Sequence, residues 1–154
     1  MKPLTPLGHD EPETVIIGPV IIVETVGSAL ASLASRLGRH ADVARAAVAG
    51  GIPLPGPGLA KNGTPFSAFW IGPDHWMIEA AFDSHEDIAA QMRPIFGDSA
   101  SITEQTDAWV RFDLQSLDLP ALFARLCTLD IAAMPPGAAT RTAIEHLGCY
   151  LIRR

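Results

Sequence analysis

Residues 66–82, FSAFWIGPDHWMIEAAF, restrict the fold more than any other stretch. They read as two short strands joined by Gly72-Pro73-Asp74, a turn in which Gly relaxes φ, Pro fixes it and Asp closes an Asx-type hydrogen bond. On the first strand Phe66, Ala68 and Trp70 lie on one side and Phe69 and Ile71 on the other, because side chains alternate along a strand. Both sides are apolar, so the strand belongs inside a sheet covered on both faces or at a contact. Trp70 and Trp76 flank the turn, and each indole can bury roughly 200 Å² if its N–H finds an acceptor.

A core of that kind is within reach of 154 residues in one compact domain, which can bury about two-thirds of its unfolded surface. The formal net charge of −6 comes without a basic run, and the only lysines are Lys2 and Lys61. Nucleic acid and anionic membranes are therefore not expected partners. The apolar run Val15 to Val23 is broken by Gly18-Pro19 and is about half the ~20 residues a bilayer span needs. It is preceded by Asp10, Glu11 and Glu13, where a signal peptide carries positive charge. Cys127 and Cys149 fit no CxxC or disulfide framework and sit in apolar surroundings, as buried thiols in a reducing cytoplasm do.

In chain order, residues 1–14 hold three prolines and mixed charge and read as an extended arm. Val15 to Val26 is β-rich, divided by Gly18-Pro19 into two pieces or an edge strand. Ala29 to Leu37 is ambiguous: Leu30, Leu33, Ala34 and Leu37 fit a helical stripe, so periodicity alone favours a helix. Arg39 to Ala49 is a helix closed by Gly50-Gly51. Residues 52–65 form a Pro/Gly connector whose prolines remove the N–H donors of a phosphate cradle. After the hairpin, Ser84 with Asp87 resembles a capping box, and Pro94 stops or kinks the following helix near Arg93. Ser101 to Thr106 and Trp109 to Gln115 are strands. Asp118 caps a helix with Pro120 in its first turn. Thr140 to His146 and Cys149 to Arg153 form a last hairpin about Leu147-Gly148.

No set of polar residues in this sequence converges on chemistry. Asp74-His75 reads as a turn acid beside a strand histidine. Ser84-His85-Glu86-Asp87 points in different directions around a helix start, and Glu145, His146 and Cys149 match no zinc spacing. GxSxG, HExxH and GxGxxG are missing. No catalytic, cofactor-binding or metal-ligating residue is assigned. The excess lies instead in strand aromatics, a sheet core in the plain interpretation. Trp109 shares its strand face with Arg111 and Asp113, and Trp beside Arg is the composition of an interface hot spot. Trp70, Trp76, Trp109 and Arg111 are thus the candidate partner-interface residues.

The segments FWIGPDHWMIEA, ITEQTDAWVRFDL, LFARLCTLDI and MPPGAATRTAIEHLGCYLIRR, with ALASLASRLGRHA and LPGPG earlier, run in order along most of the chain from about Ala29. Together they resemble the gamma subunit of heterotetrameric sarcosine oxidase. That family continues beyond the position of Ile152 with another strand and a helix. The resemblance implies an α+β fold like the folate-binding domain of glycine-cleavage T-protein: two tandem ferredoxin-like βαββ(αβ) units, the second without its last helix and strand. It implies a single gamma-like domain over 15–154, with pseudo-repeats at 29–106 and 109–154, and makes Ala29 to Leu37 a strand. It further implies a non-catalytic subunit docked on larger flavoprotein subunits, mainly alpha. The complex demethylates sarcosine to glycine, with tetrahydrofolate as methylene acceptor, and FAD, FMN, NAD and tetrahydrofolate sit on the partners. Two alternatives stay open. One is a stand-alone folate-binding or aminomethyl-transfer protein on this scaffold, for which Glu104 and Asp107 are the acids placed to meet a pterin. The other is a homo-oligomeric domain whose apolar surface pairs with itself.

Overall fold

A computed structural model describes residues 4–154. It is a mixed α+β structure built mainly from antiparallel sheets. β1 (Thr14–Ile17) and β2 (Val20–Thr25) form a tight hairpin about Gly18-Pro19, so the two-piece reading of that segment holds. The next strand, β3 (Ser28–Ser35), occupies the ambiguous stretch. Helical periodicity is overruled there because the buried residues are Ala29, Ala31 and Leu33, a period of two. The strand's small side chains let covering layers approach closely, which a helix-propensity scale does not register.

α1 (His40–Ala49) follows, as expected, and ends at Gly50. The connector then contributes a two-residue strand, β4 (Ala60–Lys61), which the Pro/Gly composition had hidden. β5 (Ser67–Gly72) and β6 (His75–Ala81) are the expected aromatic hairpin. Their turn places Asp74 at φ 56°, left-handed territory in which Asp is better tolerated than most side chains.

α2 (Ile88–Phe96) departs from expectation at both ends. Its cap is Asp87, whose carboxylate accepts the Ala90 N–H at 2.9 Å, while the Ser84 hydroxyl is held by Ala81 O and His85. It also runs through Pro94. The ring removes one ladder bond in the last turn, but Met92 and Phe96 stay buried on either side, and Gly97 N–H still closes on Arg93 O. β7 (Ala100–Glu104) and β8 (Arg111–Gln115) come next, then α3 (Leu119–Leu126), capped by Asp118 onto Ala121 N–H at 3.2 Å. The final hairpin pairs β9 (Ala139–Ile144) with β10 (Leu147–Ile152). Its turn is Glu145-His146, two residues before the expected Leu147-Gly148, and Glu145 takes a positive φ of 54° there.

The central sheet has the order β4-β5-β6-β3-β7, and all its pairings are antiparallel. Apart from the two-residue β4, its elements run β3-α1-β5-β6-α2-β7, a βαββαβ order. One face packs on the helices through Ala31, Leu33, Phe66, Ala68 and Ile78 against Val43, Ile88, Met92 and Phe96. The other face, through Phe69 and Met77, packs on Ala139, Trp109, Tyr150 and Ile152. The two-sided apolar strand is explained by this sandwich: helices cover one side and the β9–β10 hairpin the other. Full burial of each large side chain contributes roughly 1.5–3 kcal/mol. The remaining elements divide among two small sheets: β8 pairs with β2 in the order β1-β2-β8, and β9 pairs with β10.

Candidate functional site

On β6, alternation sends Met77 and Glu79 to the face away from the helices. Glu79 is the one charged residue of the central hairpin's buried strands and is only 9% exposed. Such a carboxylate must be paired, since burying it alone is prohibitive. The Ser28 hydroxyl donates to its Oε1 at 2.9 Å, Arg111 Nη1 donates to the same oxygen, and Arg154 Nη2 donates to Oε2 at 2.5 Å. Arg111 also grips Asp113 with two bonds, Nε to Oδ1 at 2.8 Å and Nη2 to Oδ2 at 2.9 Å. That fork is possible because residues two apart on β8 share a side.

Two carboxylates and two guanidinium groups make this cluster neutral. Burial pushes the Glu79 carboxyl up, but Arg154, Arg111 and the Ser28 hydroxyl outweigh it and hold it below the ordinary carboxylate value. Asp113 is held down by its bonds to Arg111. Burial works against the charge on Arg111, yet Asp113 and Glu79 raise its pKa further. Both acids have pKa values held below the ordinary carboxylate range and are ionised near neutrality, each bonded to Arg111, so neither is poised as a general acid or base. What the cluster does is bind β6, β8 and the end of the chain to one another.

Beside it the ring of Tyr150 packs against Phe69 at 5.7 Å and Trp109 at 5.8 Å between centroids. The Tyr150 hydroxyl donates to Ile71 O at 2.8 Å and the Trp109 indole N–H to Gln105 Oε1 at 3.3 Å. On the helix-facing side the Trp76 indole N–H donates to Pro55 O at 2.8 Å, tying the Pro/Gly connector to the sheet.

The four expected interface residues are therefore not one patch. Trp70 lies opposite Trp76 in the hairpin register, while Trp109 and Arg111 belong to the other side of the sheet; all four are half-buried. Asp74 meets His40 rather than His75, at 3.1 Å from Nδ1, and burial lowers the His75 pKa. Glu104 bonds the Ala89 N–H at the start of α2 and the Thr106 hydroxyl and N–H, so its carboxylate is engaged as a cap. Asp107 is exposed. The Cys149 thiol, pushed up by burial, contacts Thr142 O. Among the described residues no group of three or more His, Cys, Asp or Glu is placed to hold a metal ion.

Two open depressions, of about 470 Å³ beside Cys127 and Asp130 and about 460 Å³ beside Arg36 and Arg93, do not include residues of the cluster. No helix among the described residues is long and apolar enough to cross a membrane. The Glu79 cluster was the feature missed in the sequence, although a single Glu in the mostly apolar strand that pairs with β5 is the signal of a buried pair. The edge strand that the Gly18-Pro19 segment offered as one of its readings is β1, where Ile16 and Ile17 are 69% and 61% exposed.

Fold and site together define an α+β domain organised by a neutral internal ion cluster and rich in packed strand aromatics. Its fold is that of a chain in the solved structure of heterotetrameric sarcosine oxidase from Corynebacterium sp. U-96 in complex with pyrrole 2-carboxylate. The likeness has a TM-score of 0.71 at 19% identity and covers 90% of this chain and 73% of that one. The sequence matches no family model and no curated protein.

Proposed function

We propose that this chain is the gamma subunit of a heterotetrameric sarcosine oxidase, a non-catalytic component that docks on the larger flavoprotein subunits, chiefly alpha. The observation that carries the reading is the shared fold with a chain of that oxidase over nearly the whole length. The ordered resemblance from Ala29 onward supports it. So does the ion cluster, in which every acid and base is spent on holding strands together. We read the β3-to-β7 unit as the first ferredoxin-like βαββαβ and the element order β8-α3-β9-β10 as its shortened second copy, in which, among the described residues, β8 pairs with β2 and not with β10. In this reading FAD, FMN, NAD and tetrahydrofolate sit on the partner subunits in the cytoplasm, and the complex converts sarcosine to glycine with tetrahydrofolate taking the methylene carbon.

The test is co-expression of a tagged chain with the larger flavin-bearing subunits. Recovery of a yellow, stoichiometric complex is the expected result. A monodisperse monomer that leaves the flavoprotein subunits behind overturns the reading. Titration of the isolated chain with tetrahydrofolate is expected to give no heat, and a saturable signal would favour the stand-alone folate protein instead.

A further inference from the structure

We propose that the outer edge of β1 is a strand-pairing site, filled by an extended, apolar segment of a larger partner subunit that carries basic residues alongside the pairing strand. This deepens the docking role above and rests on that reading. β1 is the end strand of the order β1-β2-β8, and among the described residues it pairs with β2 alone.

The hydrogen-bonding phase of that edge follows from the hairpin. Ile17 pairs with Val20 across the two-residue turn, and Glu24 N–H donates to Glu13 O at 3.0 Å. Residues in an antiparallel pair alternate between exchanging bonds with the partner strand and turning them outward. Glu13, Val15 and Ile17 therefore face β2, and Thr14 and Ile16 turn their N–H and C=O groups to the open side. That is the donor and acceptor pattern an added strand uses.

The side chains agree with the backbone. Edges left to solvent are normally blunted by Lys, Pro or an inward charge, and Thr14-Val15-Ile16-Ile17 has none of these. Ile16 and Ile17 point to opposite faces and are both largely exposed, so a covering segment gains apolar contact on either side of the ladder. Charge selects the occupant. The strand is entered through Asp10-Glu11-Pro12-Glu13 on a chain of net charge −6, which favours a basic partner over a second copy of this one.

The experiment compares the full chain with Ile16→Pro and Ile16→Lys in co-purification with the larger flavin-bearing subunits, with Val48→Lys on the exposed face of α1 as a control. Ile16→Pro removes an outward N–H without touching the β1–β2 ladder, and Ile16→Lys places a charge on the edge. Ile16→Pro is expected to weaken capture about tenfold, the loss of one paired backbone group, and Ile16→Lys by a similar factor through the charge it sets against a basic segment, while Val48→Lys leaves it unchanged. Amide exchange at Thr14 and Ile16 in the unmodified chain is expected to slow in the complex, a measurement that needs no variant. Equal capture of both Ile16 variants, or unchanged exchange at both amides in an intact complex, overturns the edge site and leaves the subunit reading standing. A wild-type dimer in light scattering that Ile16→Pro dissociates assigns the edge to a second copy and also overturns it. Failure of the unmodified chain to bind the larger subunits overturns both readings.

Discussion

Arg154 lies 75 positions from Glu79 in the chain, and its Nη2 stands 2.5 Å from Glu79 Oε2. Arg111 takes the other carboxylate oxygen, so one side chain on the central sheet joins the second half of the chain to the first in two places. The arrangement is selective because Glu79 is buried and each arginine retains contact with water: the carboxylate depends on its partners more than they depend on it.

Glu79→Ala is expected to lower stability by about 2–4 kcal/mol, somewhat below the cost of breaking a fully buried pair because the two arginines remain partly solvated. Arg154→Ala, at a side chain 38% exposed, is expected to cost about 0.5–1.5 kcal/mol. Urea unfolding monitored by tryptophan fluorescence measures both, and a larger loss for Arg154→Ala than for Glu79→Ala contradicts the ordering.

Acid is expected to weaken the fold through the same cluster. Glu79 and Asp113 have folded pKa values below their unfolded ones, so their stabilisation is complete above the unfolded values of about 4.3 and 3.9. It is lost as the pH falls through the lower folded values. Stability curves between pH 6 and pH 3 should therefore be flatter for Glu79→Gln than for the wild type, and parallel curves would exclude a role for Glu79.

The Tyr150 hydroxyl should contribute through its bond to Ile71 O. Tyr150→Phe keeps the ring contacts with Phe69 and Trp109 and leaves a carbonyl unpaired, for an expected loss of about 1–2 kcal/mol. Trp109→Ala removes the ring itself from a half-buried position and should cost about 2–3 kcal/mol, below the loss for a fully buried ring. Thermal melts of the two variants separate the hydroxyl from the packing.

Glu145 begins the β9–β10 turn at φ 54°, where glycine carries no Cβ penalty. Glu145→Gly is expected to stabilise the chain by about 0.5–1 kcal/mol, seen as an upward shift in the melting temperature. A downward shift would mean that the Glu145 side chain makes a compensating contact.

Much of the framework was legible from local pattern. The aromatic hairpin, α1 and its glycine stop, the Asp118 cap and the divided β1–β2 segment are each set by residues within a few positions of one another. Where two local signals competed, the longer-range one decided. Leu30, Leu33 and Leu37 suggested a helix, yet β3 lies between β6 and β7, and two strands of ladder bonds outweigh a weak stripe. Pro94 should have ended α2, and the buried contacts of Met92 and Phe96 carried the helix past it.

By itself the sequence determined most of the extended and helical segments, β3 and β4 excepted, and which strand has two apolar faces, because turn chemistry and side-chain alternation act over a few residues. Only the tertiary structure decided that β8 joins the N-terminal hairpin, that Glu104 caps α2, that four candidate interface residues divide between two faces, and that Arg111 and Arg154 meet at Glu79. Those pairings join residues 15 to about 90 positions apart, and which buried charge finds which partner is settled by how the layers stack rather than by spacing along the chain.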